Sequence, residues 1–161
     1  RIHVATPGNP KVPGMGVFAD ILGPEIEKGH TIIDPTRFVA DGTLSRLHPE
    51  LPYATVRLAF LAAEYFDADI ALATVRAEHQ AFYRRTLSFK PMCPPRAYPS
   101  LTKPISLMSV HFPTFRDGVM ARNPFLQSTR VERAMLFDRL PNTASLSARR
   151  QGTFEAPFSN T

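Results

Sequence analysis

The sequence predicts an α+β domain, a mixed sheet with helices packed against it, and three stretches carry that prediction. Residues 70–75 (IALATV) form a short apolar run suited to a strand buried on both faces. Residues 52–67 ahead of it space Val56, Ala59, Leu61, Ala62, Tyr65 and Phe66 as the packing side of a helix. Residues 105–112 (ISLMSVHF) read as a further strand. A helix between two strands predicts a parallel pair joined by a crossover.

Taken in order, residues 2–5 are a short strand that runs into a Pro/Gly-rich loop, TPGNPKVPGMG. Residues 18–26 (FADILGPEI) read as a helical turn broken at Gly23-Pro24. Residues 31–40 (TIIDPTRFVA) are strand-like but interrupted by Pro35, which cannot donate to a ladder and so points to an edge or a bulge. Residues 41–51 are polar and turn-rich, and Pro52 suits the first turn of the helix that follows. After the strand 70–75, Glu78 and His79 open a helix that closes near Phe89. Arg84 and Arg85 lie toward its C-terminal end, where cations complement the helix dipole. Residues 91–104 are proline-rich and predict no regular structure, and 125–136 read as one more helix. The domain therefore spans 1–137, and the Ser/Thr/Asn/Arg-rich residues 138–161 read as a mobile tail.

At 161 residues the chain is long enough for one domain with its own core and short for two. A single cysteine, Cys93, rules out an internal disulfide framework and suits a reducing, cytoplasmic setting. Five scattered histidines lack zinc-ligand spacing, so no metal is expected. No apolar run is long enough for a membrane-spanning helix. The net charge of +5 and pI of about 9.8 favour anionic partners: nucleic acid, a phosphorylated cofactor or an acidic carrier protein. Equally, they describe a solvated basic surface. With no RNA-binding aromatic signature and no helix-turn-helix pattern, nucleic acid is the weakest of these partners.

Phe82, Tyr83 and Leu87 fall on nearly one side of the helix after the strand. Such spacing fits core packing, and it equally fits a phenol held at a cleft as a proton donor. Asp34 and Arg37 make either a structural ion pair or a proton acceptor with a substrate-positioning cation. Glu78 and His79 are helix-start residues first and candidate bases second. His111 reads as an ordinary strand residue, and Cys93 as incidental.

Two motifs and the element order between them resemble the GNAT acyltransferase superfamily, and in particular its long-chain branch of N-acyl amino acid synthases and acyl-homoserine lactone autoinducer synthases. Asp34-Pro-Thr-Arg37-Phe38-Val39 is similar to the acidic-x-Ser/Thr-Arg-Phe signature of autoinducer synthases. Phe82-Tyr83 followed by Leu87-Ser88-Phe89 is similar to the "FY…LGF" ending of GNAT domains, with serine where glycine is usual. The resemblance implies a sheet whose central parallel strands splay apart to admit the phosphopantetheine arm of an acyl donor, either acyl carrier protein or acyl-CoA. It implies Tyr83 as the group that protonates the leaving thiolate, with Asp34 and Arg37 beside the acceptor. Backbone groups of Phe38, Val39 and Ala40 would pair with the donor, and Gly42, Arg46 and His48 would hold its phosphate.

The loop after residue 41 lacks the usual Arg/Gln-x-x-Gly-x-Gly/Ala pyrophosphate motif, which tilts the donor toward acyl carrier protein. The reaction implied is transfer of a long-chain acyl group to the amine of an amino acid or related metabolite. The alternative is a non-catalytic module that binds acyl-phosphopantetheine. A whole GNAT domain begins with a strand, two helices and another strand, so the sequence is expected to lack the N-terminal part.

Overall fold

The structure, a computed structural model, describes residues 1–36, 42–99 and 101–138. Five strands form one mixed sheet in the order β1-β2-β3-β5-β4. They are β1 (Ile2–Ala5), β2 (Ile32–Pro35), β3 (Ile70–Arg76), β4 (Lys90–Pro91) and β5 (Ile105–His111). Only β2 and β3 run parallel, and the connection between them carries α2 (Gly42–Leu47) and α3 (Leu51–Tyr65). The crossover expected from the sequence is therefore present. β1 pairs antiparallel with β2, and β5 with both β3 and β4.

Helices cover both faces. On one face α1 (Met15–Glu27) buries Phe18, Leu22 and Ile26 against Ile32, Ile70 and Leu72. On the other, α3, α4 (Gln80–Leu87) and α5 (Phe112–Arg122) pack Phe60, Leu87 and Val119 against Ile33, Ala73 and Met108. The odd positions of β3 thus face α3–α5 and the even positions face α1, as strand alternation requires. A last helix, α6 (Arg130–Phe137), is held to α3 by Arg133, which donates to Glu64 at 2.9 Å in a half-buried contact.

Several elements differ from the sequence reading. Gly23-Pro24 does not break the first helix: α1 runs through Pro24 and bends earlier, at Phe18 (φ −122°, ψ 28°). The helix expected over 125–136 is a 3-10 turn, Pro124–Leu126, followed by the shorter α6, whose cap is Thr129 accepting the Glu132 N–H at 3.1 Å. Residues 91–104 are not wholly irregular, since Lys90 and Pro91 pair with β5 and Arg96 bridges to Ile105. α5 was not anticipated at all. The tail beyond 138 lies outside the described residues.

Candidate active site

β3 has two unequal edges. Toward β5 it is registered along its whole length, from Ile70–His111 to Arg76–Ile105. Toward β2 the register holds at Ile32–Ile70 and Ile33–Ala71 and then stops among the described residues, although β3 continues to Arg76. The central parallel strands are therefore splayed, as the resemblance implied.

The direction of the backbone groups follows from the bonds at the start of β3. Ile70 donates its N–H to the Thr31 carbonyl on the β2 side at 3.1 Å, while Asp69 accepts from Phe112 on the β5 side at 2.8 Å. Alternation then turns the groups of Leu72, Thr74 and Arg76 toward the gap, and those of Ala71, Ala73 and Val75 into the β5 ladder.

A cavity of about 1040 Å³ occupies this gap. Every residue of β3 from Ala71 to Arg76 lines it. Because neighbours on a strand point to opposite faces, a cavity lined by all of them passes through the sheet at its open edge. On the α3–α5 side its wall is apolar and aromatic, including Ala59, Phe60, Tyr83, Phe89 and Phe115. On the α1 side the wall includes His3, Thr36, Thr74, Arg76 and Tyr98.

Tyr83 lines the apolar arm. Its ring meets Phe82 and Phe89 edge-on, with centroids 5.3 Å and 5.7 Å away. No described residue hydrogen-bonds to its hydroxyl. Burial raises its pKa above the ordinary phenol value, so it stays protonated at neutral pH. Helix α4 ends in Ser88, whose left-handed conformation (φ 56°, ψ 22°) is the one the family's glycine would serve. That turn carries Phe89 back into the core.

Asp34 lies on the other side of the sheet. It is fully buried, accepts the Gly14 N–H through Oδ2 at 3.0 Å, and its Oδ1 has no partner among the described residues. Desolvation raises its pKa, opposed in part by the Gly14 N–H and by His3. A Cβ on Gly14 would stand 3.3 Å from that oxygen and 3.1 Å from Leu22, so the carboxyl sits in a tight pocket under α1. Asp34 does not line the cavity, and the structure does not bring it together with Tyr83. Arg37, Phe38, Val39 and Ala40 lie outside the described residues.

The expected phosphate loop has a different form. Gly42 opens α2, and Arg46 is in its last turn and does not line the cavity. His48 is bonded to Glu50 at 3.0 Å, and Glu50 stands just before the first turn of α3 without a side-chain bond to its N–H groups. A carboxylate there works against the anion site expected from the helix N-terminus.

Of the remaining candidates, Glu78 pairs loosely with Lys103 at 3.8 Å and Arg76 at 3.9 Å, and His79 lines the cavity one turn ahead of Tyr83. His111 bonds to Thr114, and Cys93 packs against the cluster under α1. The sequence reading passed over Thr74, Arg76 and Tyr98. The signal for two of them was present: the even positions of β3 run Ile, Leu, Thr, Arg, so one face turns from apolar to polar along the strand.

The N-acyl amino acid synthase FeeM family matches residues 1–111. The chain belongs to the FeeM family. The fold agrees, because the solved structure of FeeM, an N-acyl amino acid synthase from uncultured soil microbes, superposes with a TM-score of 0.64 at 17% identity. The match covers 75% of this chain and 66% of that one, just under two thirds of the FeeM structure. No curated protein sequence matches the chain. In this FeeM-family chain the mixed sheet and its splayed strands form a GNAT-like fold. No group of His, Cys, Asp or Glu among the described residues could hold a metal ion, and no described helix is long and apolar enough to cross a membrane.

Proposed function

We propose that the chain is an N-acyltransferase that moves a long-chain acyl group from a phosphopantetheine thioester to the amine of an amino acid. The observation that carries this reading is the open edge of β3, flanked by an apolar arm on one face and a polar arm on the other. The gap-facing carbonyl of Leu72 and the backbone groups of Thr74 suit the amides of a pantetheine arm, which would pair with them as an added strand. The aromatic and alanine-lined arm suits the acyl chain. A neutral amine attacks the thioester carbonyl, the C–N bond forms, and the C–S bond breaks. The amine gives up a proton to solvent, the departing thiolate takes one from Tyr83, and the tyrosine recovers its proton from solvent, so that one proton passes from nitrogen to sulfur overall. Holding both reactants at the gap, with backbone dipoles on the carbonyl, supplies most of the acceleration.

Acyl carrier protein is the donor we favour. Glu50 at the start of α3, tied to His48, suits a pyrophosphate poorly, whereas a basic surface suits an acidic carrier. The test is a mass-spectrometric assay with long-chain acyl carrier protein, acyl-CoA and a mixture of amino acids. An acylated amino acid formed from the carrier-bound donor is the expected result. Retention of acyl-phosphopantetheine without product, unchanged by Tyr83→Phe, would replace transfer by a binding role.

A further inference from the structure

The polar arm of the cavity holds an unpaired group. Thr74 Oγ1 is buried and has no hydrogen-bond partner among the described residues. Buried hydroxyls are rarely left unpaired, and because Thr74 belongs to the cavity lining, a rotation of its side chain would let a ligand complete this one. Arg76 lies two residues on, on the same face and roughly 7 Å along the strand. Its guanidinium is half-exposed and its one ion pair among the described residues, to Glu78, is a loose 3.9 Å. No Asp or Glu among the described residues lines the cavity. The opposite arm, with Phe60, Phe89 and Phe115, is apolar and offers a carboxylate nothing. Thus the two arms differ in the chemistry they accept.

We propose that the α1 side of the cavity is the acceptor site and takes a free α-amino acid, with Arg76 holding the carboxylate and Thr74 Oγ1 accepting one N–H of the amine. This rests on the transfer reading above. An α-amino acid carries its amine and carboxylate on one carbon, a span that fits between a short hydroxyl and a long guanidinium on alternate positions of one strand. The planar guanidinium can take the carboxylate by two parallel hydrogen bonds. The hydroxyl, by taking one amine hydrogen, leaves the nitrogen lone pair free to face the open edge of β3. The donor arm would occupy that edge, and the two substrates would meet there from opposite faces of the sheet.

The experiment compares each amino acid that the wild type acylates with its α-amide and its decarboxylated amine, using acyl carrier protein as donor. The amino acid should exceed both in kcat/KM by about tenfold or more. Arg76→Gln should raise the amino-acid KM roughly ten- to hundredfold, leave the donor KM in place and erase that preference, while Arg76→Lys keeps part of it. Thr74→Val should lower kcat/KM for amino acid and amine alike. Calorimetric titration of the amino acid reads the same site without turnover: binding to the wild type that is lost in Arg76→Gln supports the site even where no donor is consumed. A wild type indifferent to the carboxylate, or an Arg76→Gln variant that keeps the preference, overturns the assignment. Either result leaves acyl transfer itself standing.

Discussion

One strand serves two purposes at its two edges. Along β5, β3 is paired from end to end, and the side chains on that boundary, Leu72, Leu107 and Met108 among them, are almost wholly buried. Along β2, pairing ends after Ile33–Ala71, and the remaining backbone faces a cavity. Both edges belong to the same seven residues, so strand propensity cannot account for the difference. It arises from the neighbour: β2 ends at Pro35, which has no N–H to extend a ladder, whereas β5 is as long as β3. The paired edge holds the fold, and the open edge is the one we propose to take the donor arm.

The sharpest way to break this comparison is to put proline on each edge in turn. Ala73 directs its N–H into the β5 ladder, so Ala73→Pro should abolish the cooperative thermal melt, against a total stability that for domains this size is about 5–15 kcal/mol. Thr74 directs its N–H into the gap. Thr74→Pro should keep the melt within about 5 °C of the wild type and lower transfer by on the order of 10²-fold. Equal losses of stability in the two variants would end the distinction between the edges.

Tyr83→Phe should cut kcat by roughly 10–100-fold with the acyl donor still bound, because it removes a proton donor and little volume. Its raised pKa places the alkaline limb of the wild-type rate above the ordinary phenol value of 10.0, and that limb should vanish in the variant. A variant as fast as the wild type would return the tyrosine to the core. Ala59→Leu narrows the apolar arm and should shift donor preference to shorter acyl chains, costing about tenfold with the longest, as read by competition between donors of different length. An unchanged chain-length profile would place the acyl chain elsewhere.

The smallest effect concerns Asp34. Its folded pKa is raised above the reference value of 3.8, so the folded state holds a proton that the unfolded state releases. Its contribution is fully present below the unfolded pKa and is lost as pH rises through the folded one. Asp34→Asn should flatten the fall in melting temperature over that window and leave other parts of the pH–stability curve in place. A parallel curve for the variant would mean that the carboxyl is not the group titrating.

The sequence made β3, α3 and α4 legible because each has a pattern that matches its burial. An apolar run marks the strand, and helical spacing marks the residues that meet the sheet. The strand expected over 31–40 is β2 over Ile32–Pro35, with residues 37–40 outside the described ones, and Ser88 takes the left-handed conformation that glycine serves in the family's turn. α5 escaped because Pro113 and Gly118 lower its propensity and Phe112 follows directly from β5. Its stability comes from tertiary contacts such as Phe112 against Phe60, which local sequence does not display. In α1 the sequence predicts a break at Pro24, yet packing of Leu22 and Ile26 on the sheet carries the helix past it. At the site, alternation alone would have put Thr74 and Arg76 on one face. Pro35 signals in the sequence that the strand is interrupted, but which neighbour loses its pairing there is a property of the sheet.

A cavity that passes through a sheet also has a kinetic signature. If each substrate enters by its own face, neither has to vacate the site before the other arrives, and no acylated form of the protein is needed as a way station. Initial rates measured against both substrates should then give intersecting reciprocal plots. Parallel lines, the mark of a ping-pong cycle, would mean that one doorway serves both.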